Sequence, residues 1–190
     1  MKKIGSFNIS FNSPVILLFT AICFVALILD QVTRGYTNDL IFSTYRSSLL
    51  DPLTYVRLIG HVFGHAGWEH FIGNIMLILI VGPLLEEKYG SLDMIGVIVT
   101  TALITGIVNN VLFGNVQLFG ASGVVFAMIL LSSYTRIQEG SIPLTFILVA
   151  VIYLTGEVYS GLFSHQNISN LTHILGGLTG AGLGYVMNKH

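Results

Sequence analysis

Apolar residues in this chain come in long blocks and do not alternate with polar ones. Six blocks stand out, at about Val15–Val32, His70–Leu85, Leu92–Phe113, Ala121–Tyr134, Ile142–Ser160 and Leu171–Asn188. A helix that crosses a bilayer needs roughly 20 mainly apolar residues. The second and fourth blocks are short and span only if their outer ends start below the membrane surface. In lipid the backbone must satisfy its own hydrogen bonds, so the pattern predicts helices. The absence of period-two alternation argues against a transmembrane barrel. Connections are short except for residues 33–69, which carry Arg34, Arg46, Arg57, Trp68 and two histidines, His61 and His65. That mixture predicts a folded element at the membrane interface.

Composition sharpens the picture. Apolar residues make up 53 % of the 190 and charged residues 9 %, against about 25 % charged in soluble domains. Lipid is therefore the expected solvent, and the chain reads as one membrane domain over residues 1–190. Net charge is −1 and there is no basic run, which gives no footprint for nucleic acid. Cys23 is the one cysteine and reads as a small core or lipid-facing residue. Lys2 and Lys3 precede the first block, but Asp30-Gln31-Val32-Thr33-Arg34 follows it without a small-residue cleavage site. The first block is thus expected to stay as a transmembrane helix. With the N-terminus in the cytoplasm, Lys2, Lys3, Lys88, Arg136 and Lys189 fall inside, and Arg34, Arg46 and Arg57 fall outside. That bias has the expected sign and places both termini in the cytoplasm.

Three polar groups sit at helix starts, all on the outer side in this topology. Gly120-Ala121-Ser122-Gly123 opens the fourth block. Ser122 there reads either as a helix N-cap or as a nucleophile. Near the start of the sixth block, His173 is followed by Gly176, Gly177, Gly180 and Gly184. Those offsets place the glycines on the His173 face, where a neighbouring helix can approach closely. His173 reads either as a base or as a histidine bonded to a backbone carbonyl. His70 and Asn74 share one face of the second block and read either as an anion site or as a structural pair. Taken together, the three groups supply a nucleophile, a base and oxyanion donors at one depth.

His70-Phe-Ile-Gly-Asn74, Gly120-Ala-Ser122-Gly123 and His173-Ile-Leu-Gly-Gly-Leu-Thr-Gly180, in that order on the second, fourth and sixth blocks, resemble the rhomboid family of intramembrane serine proteases. The resemblance covers about residue 45 to the C-terminus. It implies an all-α bundle of six transmembrane helices with a membrane-embedded first loop. It implies that Ser122 is the nucleophile, that His173 is the general base, and that His70, Asn74 and the Ser122 backbone N–H form the oxyanion hole. Arg57 matches the arginine of that loop's Trp-Arg pair, with Val56 in place of the tryptophan, which loosens interfacial anchoring. His61 and His65 fall where the family has loop-supporting histidines, and Glu86 resembles its acidic residue at the inner end of the second helix. Position 126 shares the Ser122 face, and Phe126 keeps the ring of the family's tyrosine without its hydroxyl.

The implied substrates are transmembrane segments of other proteins, with a small residue before the scissile bond. A helical segment must unwind before its carbonyl can reach Ser122, which favours Gly or Pro near the cut. The fifth block and residues 161–170 are expected to form gate and lid. Glu157 reads as an interfacial or gate-lining carboxylate, with a third triad member as the alternative. No cofactor and no metal is expected. Three rivals remain: an inactive binding protein on the same fold, a transporter, and a metal enzyme using His61, His65 and His70 with Glu69 as base. The last lacks the His-Glu-x-x-His pattern.

Overall fold

The computed structural model describes residues 11–113, 116–134, 144, 147–148, 151–152 and 167–188. The chain enters its first helix, α1 (Pro14–Thr33), through a proline at the start. A missing N–H costs nothing there, because the first N–H groups of a helix lack internal partners. The next two donors, Val15 N–H and Ile16 N–H, each reach the Glu86 carboxylate at 3.0 Å. Ser91 Oγ donates to the same carboxylate at 2.7 Å. One buried acid thus ties the start of α1 to the end of α3 (Trp68–Tyr89) and the start of α4 (Ser91–Leu112).

Helix α1 ends at Arg34, a non-glycine residue in the left-handed region (φ 56°), with Gly35 following at φ 93°. The segment up to α3 is folded throughout. It holds a π-helical turn (Asn38–Phe42), helix α2 (Pro52–Gly60) and a 3₁₀ turn (His61–Phe63). Asp51 caps α2 by accepting from Leu53 N–H at 3.0 Å and also pairs with Arg57 at 3.2 Å. Arg57 is buried, donates from Nε to the Leu40 carbonyl at 2.9 Å, and lies over the Tyr45 ring. It organises the loop from within, while Val56 on the same helix is half exposed.

Beyond α4, the chain makes an antiparallel bridge between Thr44 and Leu118 before entering α5 (Ser122–Tyr134), and α6 (Asn167–Met187) follows. The described residues contain no β-strand beyond that isolated bridge. Among them, α1, α3 and α4 are long and apolar enough to cross a membrane. Their outward faces are apolar, with Leu18, Val25, Ile80, Leu84 and Val111 all more than half exposed. Cys23 is fully buried and is a core residue.

The second block is longer than its apolar pattern predicts. Helix α3 runs 22 residues and takes in Trp68 and Glu69 at one end and Glu86 to Tyr89 at the other. Hydropathy reads only the lipid-facing middle, whereas the polar end turns are held by hydrogen bonds and contacts elsewhere in the fold. Helix α5 is short, 13 residues, as its sequence predicts. Most of the fifth block, with Glu157 and residues 161–166, lies outside the described residues.

Helices α5 and α6 pack on small residues. A Cβ at Gly176 would run into the main chain of Gly123, and one at Gly180 into that of Ala127. The four-residue steps match on both helices, so the backbones meet along a seam of small residues. The start of α1 and the end of α3 share one end of the molecule through Glu86. The end of α6 joins them through Lys88 Nζ to Asn188 Oδ1 (3.0 Å).

Candidate active site

The opposite end of α3 holds a cavity of about 860 Å³. Its wall includes His70 and Asn74 of α3, Ser122, Val125 and Phe126 of α5, and Thr172 and His173 of α6. The three polar groups singled out in the sequence therefore face one space. The backbone stretch Val116 to Phe119 closes another side. No sequence signal pointed to that stretch or to Thr172, because their place depends on loop packing and not on a residue type.

Gly120 shapes the approach to Ser122. Its φ of +133° is a conformation that residues with a side chain rarely adopt. A Cβ there would also lie 2.8 Å from His70 Cε1 and 3.0 Å from His70 Nε2. The glycine thus lets the imidazole lie directly against the turn before Ser122. Gly120 N–H donates to the His61 carbonyl at 2.9 Å, and Leu118 and Thr44 exchange backbone hydrogen bonds at 2.9 Å. Asn109 Nδ2 joins Thr44 and Val116 by donating to both carbonyls. The first loop and the wall before Ser122 are one hydrogen-bonded unit.

Three N–H donors lie at this cavity. Ser122 is the first residue of α5, so its N–H belongs to the unpaired first turn, where the helix dipole is positive. His70 Nδ1 accepts from Ala66 N–H at 3.4 Å, which leaves the proton of a neutral ring on Nε2. Asn74 Nδ2 spends one N–H on the His70 carbonyl at 3.0 Å and keeps a second. Phe126 lies against His173, with ring centroids 4.7 Å apart and planes tilted by 45°. The ring at position 126 makes this contact without a hydroxyl.

Two further histidines among the described residues, His61 and His65, lie in the loop before α3. His61 is buried, with Nδ1 at 3.3 Å from the Arg57 carbonyl and Nε2 at 3.2 Å from Thr105 Oγ1. Both its nitrogens are thereby engaged in hydrogen bonds. His65 packs edge-on against His70 with centroids 5.1 Å apart, and its Nδ1 meets the Phe63 carbonyl at 3.1 Å. Both residues lie in the loop between α1 and α3, and burial pushes each imidazole down to about 4 from 6.5. They are neutral at physiological pH.

Comparison with known proteins gives the chain a lineage. A family model described as the rhomboid domain matches residues 52–190. The chain is 26 % identical over 185 residues to the rhomboid protease GlpG of Haemophilus influenzae, covering 94 % of this chain and 93 % of that protein. It is 30 % identical over 141 residues to rhomboid-related protein 1 of Caenorhabditis elegans, covering 69 % of this chain and 39 % of that protein. To the rhomboid protease GluP of Bacillus subtilis it is 28 % identical over 166 residues, 86 % of this chain and 32 % of that protein. The chain thus spans nearly all of one relative and well under half of two others. With apolar helices of membrane-crossing length and a match over most of its residues, this integral membrane protein belongs to the rhomboid family.

Proposed function

We propose that the chain is an intramembrane serine endopeptidase whose catalytic dyad is Ser122 and His173. The observation that carries this reading is the convergence of Ser122, His173, His70 and Asn74, from three helices, on one cavity. A helix N-cap role for Ser122 has less support, since Ser122 is itself the first helical residue.

His173 accepts the Ser122 proton as Oγ forms a bond to the scissile carbonyl carbon. The carbonyl oxygen takes up negative charge and is met by Ser122 N–H, His70 Nε2–H and Asn74 Nδ2–H. Collapse breaks the C–N bond, and His173 returns the proton to the leaving amine. Water then attacks the Ser122 ester, with His173 again taking a proton, and the acid product leaves as Oγ–H is restored. Gly120 lets the His70 ring come close to the turn before the nucleophile, Gly176 and Gly180 hold α6 against the Gly123 and Ala127 backbone of α5, and Phe126 supports the His173 ring. The chemistry needs no metal and no cofactor.

The substrates on this reading are transmembrane segments of other membrane proteins, unwound locally before cleavage. The chain forms one six-span domain with an embedded first loop. It lies in a bacterial inner membrane with both termini in the cytoplasm and the cavity open to the outer side. The fifth span and residues 161–170 gate access. Cleavage of a transmembrane reporter in liposomes tests the reading. Wild type should cut and Ser122→Ala should not; equal cutting by both, with contamination excluded, removes Ser122 as nucleophile.

A further inference from the structure

Glu69 is the only Asp, Glu, Lys or Arg side chain on the wall of the Ser122 cavity among the described residues. It is exposed, and among those residues its carboxylate has no hydrogen-bond or ion-pair partner. Gly73 and Leu77, four and eight residues further along α3, also line the cavity. The three form a stripe beside the one that carries His70 and Asn74. A Cβ at Gly73 would meet nothing within 4 Å, so packing does not demand glycine there. Its effect is to leave an open lane between the Leu77 side chain and the Glu69 carboxylate. No Lys or Arg side chain lines the cavity with Glu69 among the described residues: Arg46 donates to the Asn110 and Val111 carbonyls, and Arg57 pairs with Asp51.

We propose that Glu69 is a specificity-determining residue that selects substrates carrying Lys or Arg close to the scissile bond. The aliphatic stem of such a residue lies over Gly73 and Leu77, and its charged tip reaches the Glu69 carboxylate. A basic side chain at the edge of a membrane segment extends towards the interface. In the proposed topology the first turn of α3 lies in that direction. This inference rests on the proteolytic reading of the cavity. A carboxylate in a first helical turn also stabilises the helix, but that role takes no account of the substrate.

The test uses a reporter series that differs at one residue, carrying Lys, Gln or Glu at each position flanking the cut in turn. Ratios of kcat/KM are measured at low salt for wild type, Glu69→Gln and Glu69→Lys. At one position wild type should favour Lys over Gln by about fivefold, as for a partly exposed ion pair. The ratio should shrink as salt is raised, fall to near one in Glu69→Gln, and invert towards Glu in Glu69→Lys. A purely helix-stabilising role would shift melting and leave these ratios alone. If Glu69→Lys fails to fold, Glu69→Gln and the salt series carry the test. A wild type that cuts every reporter without regard to charge overturns the inference and leaves the protease reading standing. A wild type that cuts none and takes up no serine-directed fluorophosphonate overturns both.

Discussion

Replacing Gly180 with alanine tests whether the α5–α6 seam sets the site. Gly180 lies about two turns beyond His173 and does not line the cavity. A methyl group there would lie 2.6 Å from the Ala127 Cα and carbonyl carbon. Carbon atoms prefer about 3.5–4.0 Å, so the two backbones must part by about 1 Å. Overpacking of this kind costs about 1–3 kcal/mol. Parting the helices also moves His173 away from Ser122, and a displacement of about 1 Å in a catalytic pair lowers the rate by about 10²-fold. Gly182 on the same helix provides the control, because a Cβ there meets nothing within 4 Å. Gly182→Ala should stabilise α6 by about 0.5–1 kcal/mol through helix propensity alone and leave cleavage intact. Thermal melting in detergent and kcat/KM on one reporter, measured for both variants, decide the matter. A Gly180→Ala protein with wild-type stability and rate would refute the claim that this seam positions His173.

Three further outcomes follow from the geometry. Asn74→Ala should lower kcat by about 10²–10³-fold, as loss of one oxyanion donor does, with little change in KM; a near wild-type kcat would remove Asn74 from the mechanism. Glu86→Gln strips the charge from an acceptor shared by Val15, Ile16 and Ser91. Unfolding in a denaturing detergent should show a loss of about 1.5–3 kcal/mol, the range for hydrogen bonds to a charged group, and an unchanged midpoint would discount the Glu86 tie. The third outcome concerns pH. His61 has a folded-state value of about 4 against 6.5 when unfolded, with burial as the main cause. The unfolded chain therefore binds more protons between those limits, so stability is full above about pH 6.5 and declines as pH falls towards 4. The loss is about 3 kcal/mol for this group, and His61→Gln should flatten part of the slope seen in melting against pH.

The sequence made legible what depends on local periodicity. The i, i+4 relation of His70 and Asn74 and the glycine face after His173 are consequences of 3.6 residues per turn, and both occur in the structure. The short α5 was likewise readable from a short apolar run. What could not be read depends on contacts between distant residues. The Glu86 tie to Val15 and Ile16 crosses about 70 positions, and neither end announces the other. The same holds for Gly120 N–H meeting the His61 carbonyl and for the Thr44–Leu118 bridge. Arg57 shows the limit most clearly. Its resemblance to an interfacial Trp-Arg pair gave its place in the loop, whereas its inward contacts with Leu40 and Asp51 follow only from the folded backbone. The polar ends of α3 were missed because an apolar block marks the lipid-facing part of a helix and is silent about turns beyond it.

The central claim is that His173 activates Ser122 for attack on a carbonyl. The most direct test is to treat the membrane-embedded wild type with a fluorophosphonate and map the adduct by peptide mass spectrometry. The account predicts one modified serine, Ser122, with labelling abolished in Ser122→Ala and strongly slowed in His173→Ala. An adduct on a different serine, or labelling of Ser122 at the same rate without His173, would contradict it.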